Sequence, residues 1–397
     1  MNRRTFLGTI PLLSAAPWLT ADEKKNAAKL IPGKSRELDT LVEFPAVLET
    51  PLTLLRKHSV TPVDLLFIRN NQQPKDSATL RSVPLKGWKL KLSGMVNREM
   101  TIDASVLQKL PTIEHEMVLQ CSGNGRSLFS LASQTKGTQW HRGGIANVRF
   151  GGVKLSSLLR HLKITIDKNA KFVTAEGHDT PLPKKEDFEH SIPLQDVLDH
   201  SFLATKLNGM DLPAIHGGPL RLITPGYYAT NNVKWLSHLR FVKSESTNYN
   251  HAVRYRTPNE PIKPGSEFKF TLTNSTPTWK MKVGTLIFAP EANAKLRSGR
   301  VSISGGTFND GEERNETVEE WVDQGRTWHR AEIEKPKSAY AWTPWKINLK
   351  LTQGKREVWA RAIDTRGRSQ PLDGSLFWNP RGYQWNGVEK VSVTVRE

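Results

Sequence analysis

Read for hydrophobic and polar periodicity, the chain first becomes regular near Leu65. Trp88 to Leu92 alternates apolar and polar residues, Gly94 permits a turn, and Met100-Thr101-Ile102 returns, so the spacing predicts a β-hairpin. Ala104 to Leu110 and Leu155 to Leu162 read as short helices. Between them, Glu116 to Gln120 carries the apolar run Met117-Val118-Leu119, the length of a buried strand, and leads straight into Cys121-Ser122-Gly123-Asn124-Gly125-Arg126. Strands are also predicted near Phe172 and over Leu220 to Ile223, which makes this half mixed α and β. Upstream, Asp22 to Leu55 is Lys-rich and poorly periodic and is expected to be a surface arm with little secondary structure of its own.

Beyond Pro261 the elements shorten. Glu267 to Thr273, Lys280 to Phe288, Val301 to Ser304, Glu319 to Val322, Ile347 to Leu351, Val358 to Ile363 and Val391 to Val395 are strand-like segments separated by turn residues, the spacing of a β-sandwich. Eight of the twelve tryptophans fall in this part (Trp279, Trp321, Trp328, Trp342, Trp345, Trp359, Trp378 and Trp385), and buried aromatics carry much of a sandwich's packing area. Pro258, Pro261 and Pro264 place the boundary within Arg256 to Gly265. The expected order is a leader over 1–21, an arm over 22–60, a mixed domain over 61–256 and a sandwich over 257–397.

Composition narrows the chemistry. With 57 Lys+Arg against 39 Asp+Glu the formal charge is +18, but the cations are scattered rather than blocked, so an anionic small substrate fits them better than nucleic acid does. The longest apolar run is too short to span a bilayer, and no membrane span is expected in the mature chain. It lies at the N-terminus, where Asn2-Arg3-Arg4-Thr5-Phe6-Leu7 is followed by a weakly apolar stretch ending in Leu19-Thr20-Ala21; this reads as a twin-arginine signal peptide cleaved after Ala21, and hence as export to the periplasm. The single cysteine, Cys121, excludes an internal disulfide, a CxxC zinc site and a CxxCH haem attachment, so redox work needs a borrowed cofactor.

Cys121 is therefore the first candidate for chemistry. It sits at a strand end, Gly123 and Gly125 allow close backbone approach to a ligand, and Arg126 favours a thiolate, which can attack carbon or bind a soft metal. A nucleophilic role would need a partner histidine, for which His115 and His141 are available. Taken singly, the cysteine reads equally as a small buried hydrophobe, and each nearby arginine as solvated.

The stretch LQCSGNGRS from Leu119 to Ser127 resembles the molybdenum-binding cysteine loop of the sulfite oxidase and assimilatory nitrate reductase family. Four further blocks resemble the family in its order: LFIRNN (Leu66 to Asn71), QWHRGGIANVRFGGVKL (Gln139 to Leu155), NGMDLPAIHGGPLRLITPGY (Asn208 to Tyr227) and NNVKWL (Asn231 to Leu236). FWNPRGYQWN (Phe377 to Asn386) is similar to the end of its C-terminal domain. The resemblance implies an α+β protein: a mixed α/β molybdopterin-binding domain followed by an immunoglobulin-like β-sandwich that usually makes homodimers. It implies Cys121 as the protein ligand of molybdenum, with molybdopterin supplying the other sulfurs. Arg69, Arg126 and Arg381 match the cationic substrate pocket, Trp140 an aromatic wall, and Tyr255 a phenol facing the substrate, with Tyr249 as its nearby competitor. His216, Arg221 and Lys234 match groups that hold the pterin and its phosphate.

Two positions depart from the pattern. Asn71 stands where the family commonly has a cofactor-contacting histidine, and an amide donates a hydrogen bond but holds no proton. Asn232 stands where relatives often carry Arg, His or Ser. The resemblance implies oxidation of sulfite to sulfate by oxygen-atom transfer, with the electrons passing to a separate c-type cytochrome. A sulfane dehydrogenase subunit is the nearest alternative and a methionine-sulfoxide reductase subunit a more distant one. Cofactor-free thiol hydrolysis and simple polyanion binding are the readings from other classes.

Overall fold

The structure is a computed structural model that describes residues 31–43, 45–72, 74, 77–179, 187–321 and 327–397. The twin-arginine segment lies outside the described residues. Among them, no helix is long and apolar enough to cross a membrane.

The hairpin forms as its alternation predicts, Lys89–Gly94 against Met100–Asp103, with Leu90 and Leu92 fully buried. It edges a five-stranded sheet: Lys89–Gly94 runs parallel to Leu236–Val242, which continues antiparallel through Phe172–Gly177 to Glu189–Pro193. A second five-stranded sheet joins Ile113–Gln120, Ile145–Lys154, Phe202–Leu207 and Met210–Asp211, and Arg221–Ile223 pairs with Phe202–Leu207. The expected helix over Leu155 to Leu162 is present as Leu155–His161, whereas Ala104–Lys109 is a 3₁₀ helix capped by the Asp103 carboxylate on the Ser105 amide. Few helices, two sheets, one apolar core shared by both sheets (Leu90, Val173 and Leu239 with Val153, Leu203 and Leu222) and a second around Met117, Val148 and Phe202 make this the mixed domain.

The N-terminal arm departs from expectation. Asp39–Val42 and Val47–Glu49 form a hairpin whose second strand pairs with Ile68–Arg69, and Leu38, Leu48 and Ile68 are buried with Ile215. Short segments with mixed polarity carry no clear period, but edge pairing and a few buried leucines suffice to order them. The arm thereby fixes the backbone that presents Arg69.

The C-terminal part is a sandwich of a four-stranded sheet (Gly284–Ala289, Gly299–Phe308, Thr343–Leu351, Glu332–Ile333) and a five-stranded one (Lys295–Arg297, Glu389–Arg396, Gly354–Asp364, Asn315–Trp321, Trp328–Arg330). Alternate residues such as Val358, Ala360, Ala362, Val391, Val393 and Val395 fill the space between them. The strand expected over Glu267 to Thr273 is absent. Its alternating phenylalanines, Phe268 and Phe270, pack edge-on against each other at 4.8 Å, and Asn274 side-chain bonds to Thr271 and Lys269 close a turn instead. The strand here is Ser275–Pro277, paired with Arg256–Pro258.

The two parts share a core. Leu55, Val118, Ile145 and Tyr228 pack against Met281, Leu286, Phe308 and Trp342. Gly152 lies in the second of these sheets, on Ile145–Lys154, where an added methyl would overlap the Leu203 carbonyl oxygen of the adjacent strand. Gly152→Ala is accordingly expected to cost about 1–3 kcal/mol and to lower Tm by a few degrees, measured by thermal unfolding.

Candidate active site

The strand Ile113–Gln120 ends at Cys121, and a set of backbone bonds then pins the following loop. The Cys121 amide donates to the Gly144 carbonyl at 2.8 Å, Gly125 N to His141 O at 2.6 Å, and Gln384 N to Ser122 O at 2.7 Å. The glycines of this loop serve a different purpose from the one expected. Gly123 makes room for the Arg126 guanidinium and Gly125, at φ +81°, for the Trp385 ring, so their close approach is to side chains of the protein itself.

Cys121 is free, half-buried, and opens on a cavity with about 730 Å³ of atom-free space. Arg69, Asn71, His216, Arg221, Asn232, Lys234 and Tyr255 line the same cavity. The structure thus brings eight of the eleven sequence-derived candidates together from five separate chain segments. Arg126, Trp140 and Arg381 stand behind that lining. Arg126 is buried, with Nε donating to the Arg381 carbonyl at 2.8 Å and Nη1 to the Thr138 carbonyl at 2.7 Å. Trp140 is wholly buried in the core under the cysteine loop, edge-on to Phe67 at 6.0 Å. The Arg381 side chain lies over Phe270 and Tyr249 and donates to the Tyr249 hydroxyl at 3.2 Å. Neither His115 nor His141 lines the cavity; the His141 ring is bound to the Glu49 carboxylate at 2.6 Å.

Tyr255 is placed by a wide turn over Asn250–Arg254, its amide reaching back five residues to the Asn250 carbonyl at 3.2 Å. The Asn71 Nδ2 amide donates to its hydroxyl at 2.6 Å, and the Asn71 carbonyl oxygen accepts from Arg69. Tyr249, by contrast, is 46% exposed and outside the lining. The sequence reading gave no role to Tyr383, which stacks on Tyr255 at 5.1 Å and lies under the Arg126 guanidinium at 5.0 Å. It also missed Ser122, Thr230, Asp179 and Phe188 in the lining.

The floor of the cavity is electropositive. Lys234 Nζ donates to Asn70 Oδ1 at 2.6 Å and to Ile215 O at 3.3 Å, and Arg221 donates to the carbonyls of Asn232 at 2.9 Å and His216 at 3.0 Å. Burial lowers Arg221 to a pKa of about 9. Burial and then the neighbouring Arg221 hold Lys234 well below its usual value. His216 is held neutral by burial and by Lys34, Lys234 and Arg221. Asp179 is the one carboxylate in the lining among the described residues, and burial, then Asp187, raise its pKa to about 7.

Residues 78–250 match the oxidoreductase molybdopterin-binding domain and residues 275–396 the Mo-co oxidoreductase dimerisation domain. The chain belongs to the sulfite oxidase family of molybdopterin oxidoreductases. Mitochondrial sulfite oxidase of Drosophila melanogaster is 27% identical over 397 residues, covering 96% of this chain and 65% of that protein. The Homo sapiens enzyme is 28% identical over 362 residues, covering 87% and 64%. NADPH nitrate reductase of Emericella nidulans is 25% identical over 405 residues, covering 92% and 45%. The chain spans less than two thirds of the length of these relatives. The sulfane dehydrogenase SoxCD of Paracoccus pantotrophus shares the fold, with a TM-score of 0.73 at 23% identity over 88% of this chain and 84% of that one.

The family's cofactor is molybdenum held by molybdopterin, and the cavity fits it. Ser122 Oγ, His216 Nε2, Thr230 Oγ1 and Asn232 Nδ2 are buried polar atoms with no partner among the described residues, all on residues of the lining. A buried donor or acceptor left unmade costs about 1–3 kcal/mol, so four in one cavity mark the place of a polar ligand. The cationic floor suits a phosphate and the single thiol a soft metal.

Three expectations follow for this site. Lys234→Met should lower the molybdenum content of purified protein at least about tenfold, read by metal analysis, because a charge-assisted bond to phosphate is worth roughly 1.5–3 kcal/mol. Tyr383→Leu should raise KM for the substrate while leaving metal content unchanged, since it loosens Tyr255 and Arg126 rather than the cofactor floor. Lys34, buried with Nζ on the Val63 and Leu66 carbonyls, is lowered from 10.5 to about 7 by desolvation. Its unfolded form therefore binds more protons between pH 7 and 10.5, and the contribution of Lys34 to stability rises across that window. Lys34→Met should flatten the rise, as followed by Tm against pH.

Proposed function

We propose that this protein is an exported sulfite dehydrogenase that oxidises sulfite to sulfate and passes two electrons to a separate c-type cytochrome in the periplasm. One observation carries the reading: the only thiol of the chain, a substrate-facing arginine and a cationic floor with unpartnered polar atoms all face one cavity. When bound, the molybdenum centre supplies two-electron oxygen-atom transfer. Everything else is positioning, and the chain's own residues do it.

In this reading Cys121 supplies the protein thiolate to the metal, with His216, Arg221, Lys234, Asn232 and Ser122 holding the pterin and its phosphate. Arg69 presents a planar guanidinium to the oxygens of a small oxyanion. The Asn71 amide, bound at once to Arg69 and to Tyr255, locks the two substrate-facing groups in one orientation. Holding donors in place before the dianion develops removes the reorganisation cost that water would impose. Arg126 acts from behind: it ties the cysteine loop to the backbone of Arg381 and backs the tyrosine pair, while Arg381 guards the approach with Tyr249.

The proposal divides the chain into a leader over 1–21, the arm over 22–60, the catalytic domain over 61–256 and a dimerising sandwich over 257–397. The dimerisation-domain match supports a homodimer. A sulfane substrate is the second reading; what supports it is the fold shared with the sulfane dehydrogenase SoxCD.

Sulfite-dependent reduction of cytochrome c by molybdenum-loaded protein tests the assignment, with about one molybdenum per chain expected. Turnover with a thiosulfate-derived sulfane but not with sulfite would move the protein to the second reading. Cys121→Ser should abolish turnover without unfolding the chain, since a hydroxyl is a hard and poorly ionised ligand. Full activity in that variant would remove Cys121 from the metal. Arg381→Gln should raise KM for sulfite several-fold, and more at low ionic strength than at high, because its charge acts through a partly solvated approach.

A further inference from the structure

The side-chain amide of Asn71 stands between the two groups that face the substrate, and its two ends are not interchangeable. A guanidinium only donates, so the end that meets Arg69 Nη2 must be the carbonyl oxygen, Oδ1. The other end is then the NH2 group, and Nδ2 donates to the Tyr255 hydroxyl at 2.6 Å. Turning the amide over would set NH2 against guanidinium, so Arg69 fixes its sense. Arg69 is itself held: Nη1 donates to the Asn70 carbonyl, and the Asn70 side chain accepts from Lys234 Nζ at 2.6 Å.

That sense decides what Tyr255 can do. With Asn71 Nδ2 donating to it, the phenol oxygen is an acceptor on that side and its hydrogen must point elsewhere. No other hydrogen bond engages this hydroxyl among the described residues. The ring is packed against Tyr383 at 5.1 Å, the Arg254 guanidinium at 5.6 Å and Phe188 at 5.8 Å, and its open side is the cavity that it lines. The phenol hydrogen therefore faces the cavity. An imidazole in place of the amide could offer the phenol either a donor or an acceptor, whereas this amide offers only a donor. Asp179, the one carboxylate in the lining among the described residues, accepts from the Phe188 amide and stands in the field of Lys234.

Resting on the oxygen-transfer reading above, we propose that Asn71 is a positioning residue that sets specificity: by making Tyr255 an obligate donor toward the cavity, it selects a fully deprotonated oxyanion. Arg69 can only donate, and Tyr255 now does the same, so the substrate side presents two donors held at a fixed separation. The dianions sulfite and sulfate offer lone pairs on every oxygen and satisfy both donors at once. Hydrogen sulfite, or any oxyanion carrying O–H toward the phenol, sets hydrogen against hydrogen and leaves a donor unmade. Rejection of such a ligand is the larger effect, because a site built of fixed polar groups loses more from a mismatch than it gains from one more contact.

Two measurements on the molybdenum-loaded protein test this. Neutron diffraction from crystals exchanged into heavy water should place the Tyr255 deuteron away from Asn71, on the cavity side; a deuteron between the phenol oxygen and Asn71 overturns the proposal whatever the substrate proves to be. The second is a double-mutant cycle on sulfate affinity, read by calorimetry. Tyr255→Phe should weaken sulfate binding at least about tenfold in the wild type, the loss of a charge-assisted bond. Asn71→Asp keeps the shape but accepts at both ends, so the phenol donates to the new carboxylate and turns a lone pair to the cavity. Sulfate should then bind at least about tenfold more weakly, and in that background Tyr255→Phe should cost nothing or restore binding. The added negative charge acts alike with and without the phenol, so the cycle cancels it. Equal losses from Tyr255→Phe in both backgrounds overturn the proposal. If Asn71→Asp does not fold, the neutron map of the wild type decides. A loaded wild type inactive on sulfite defeats the parent reading instead; the cycle is then run with thiosulfate, and the neutron result stands either way.

Discussion

Crowding of like charge around one cavity is the constraint on which the rest of the structure depends. Arg69, Arg221 and Lys234 face the cavity and Lys34 stands behind His216, each acting on its neighbours through protein rather than water. In such a medium the repulsion between cations a few ångströms apart is several times its value in water. Asp179, the one carboxylate in the lining among the described residues, has its own pKa raised to about 7 and offers little relief. What holds the cations is a set of backbone carbonyls, those of Val63, Leu66, Ile215, His216 and Asn232, which accept from Lys34, Lys234 and Arg221. The mixed domain is in this sense a frame that keeps positive groups in place until an anion arrives.

The sandwich contributes to the same frame and is more than an appended module. Asn379 donates to the Arg256 carbonyl at 2.9 Å, Trp378 to Ser133 O at 3.1 Å, and Arg142 meets the buried Glu389 carboxylate at 2.9 Å. Through Arg126 and Tyr383 these contacts reach the substrate side of the cavity. A change far along the sequence can therefore alter affinity without touching the cofactor.

Much of this was legible in the sequence where a local rule decides. The run Met117-Val118-Leu119 before Gly123 and Gly125 read as a buried-strand candidate entering a loop, and of the ordered blocks those around Arg69, Cys121, His216 to Arg221 and Asn232 to Lys234 meet at one cavity, whereas Gln139 to Leu155 stays behind it. Long-range pairing was less legible. The arm acquires strands because Ile68–Arg69 offers an edge, and nothing in Asp39 to Glu49 announces that partner. Phe268, Phe270 and Leu272 alternate as a strand should, yet find no neighbour to bond with and fold into a turn. Arg126 matched a substrate pocket by motif, but three glycines, Gly123, Gly137 and Gly382, admit it to a buried slot among carbonyls. Tyr383 stood inside the block Phe377 to Asn386, but a single tyrosine has no periodicity to betray its role, and its stacking on Tyr255 appears only in the fold.

The bond from Gln384 N to Ser122 O, with Arg126 on the Arg381 carbonyl, means that the cysteine loop is closed by residues near the end of the chain. A polypeptide leaves the ribosome from its N-terminus, so Cys121 emerges long before the segment that seals it. The nascent catalytic half consequently presents an open thiol loop and an uncovered tyrosine, and a mature cofactor cage exists only after synthesis is finished. The order of events, translation first and metal centre afterwards, is written into the connectivity of the fold.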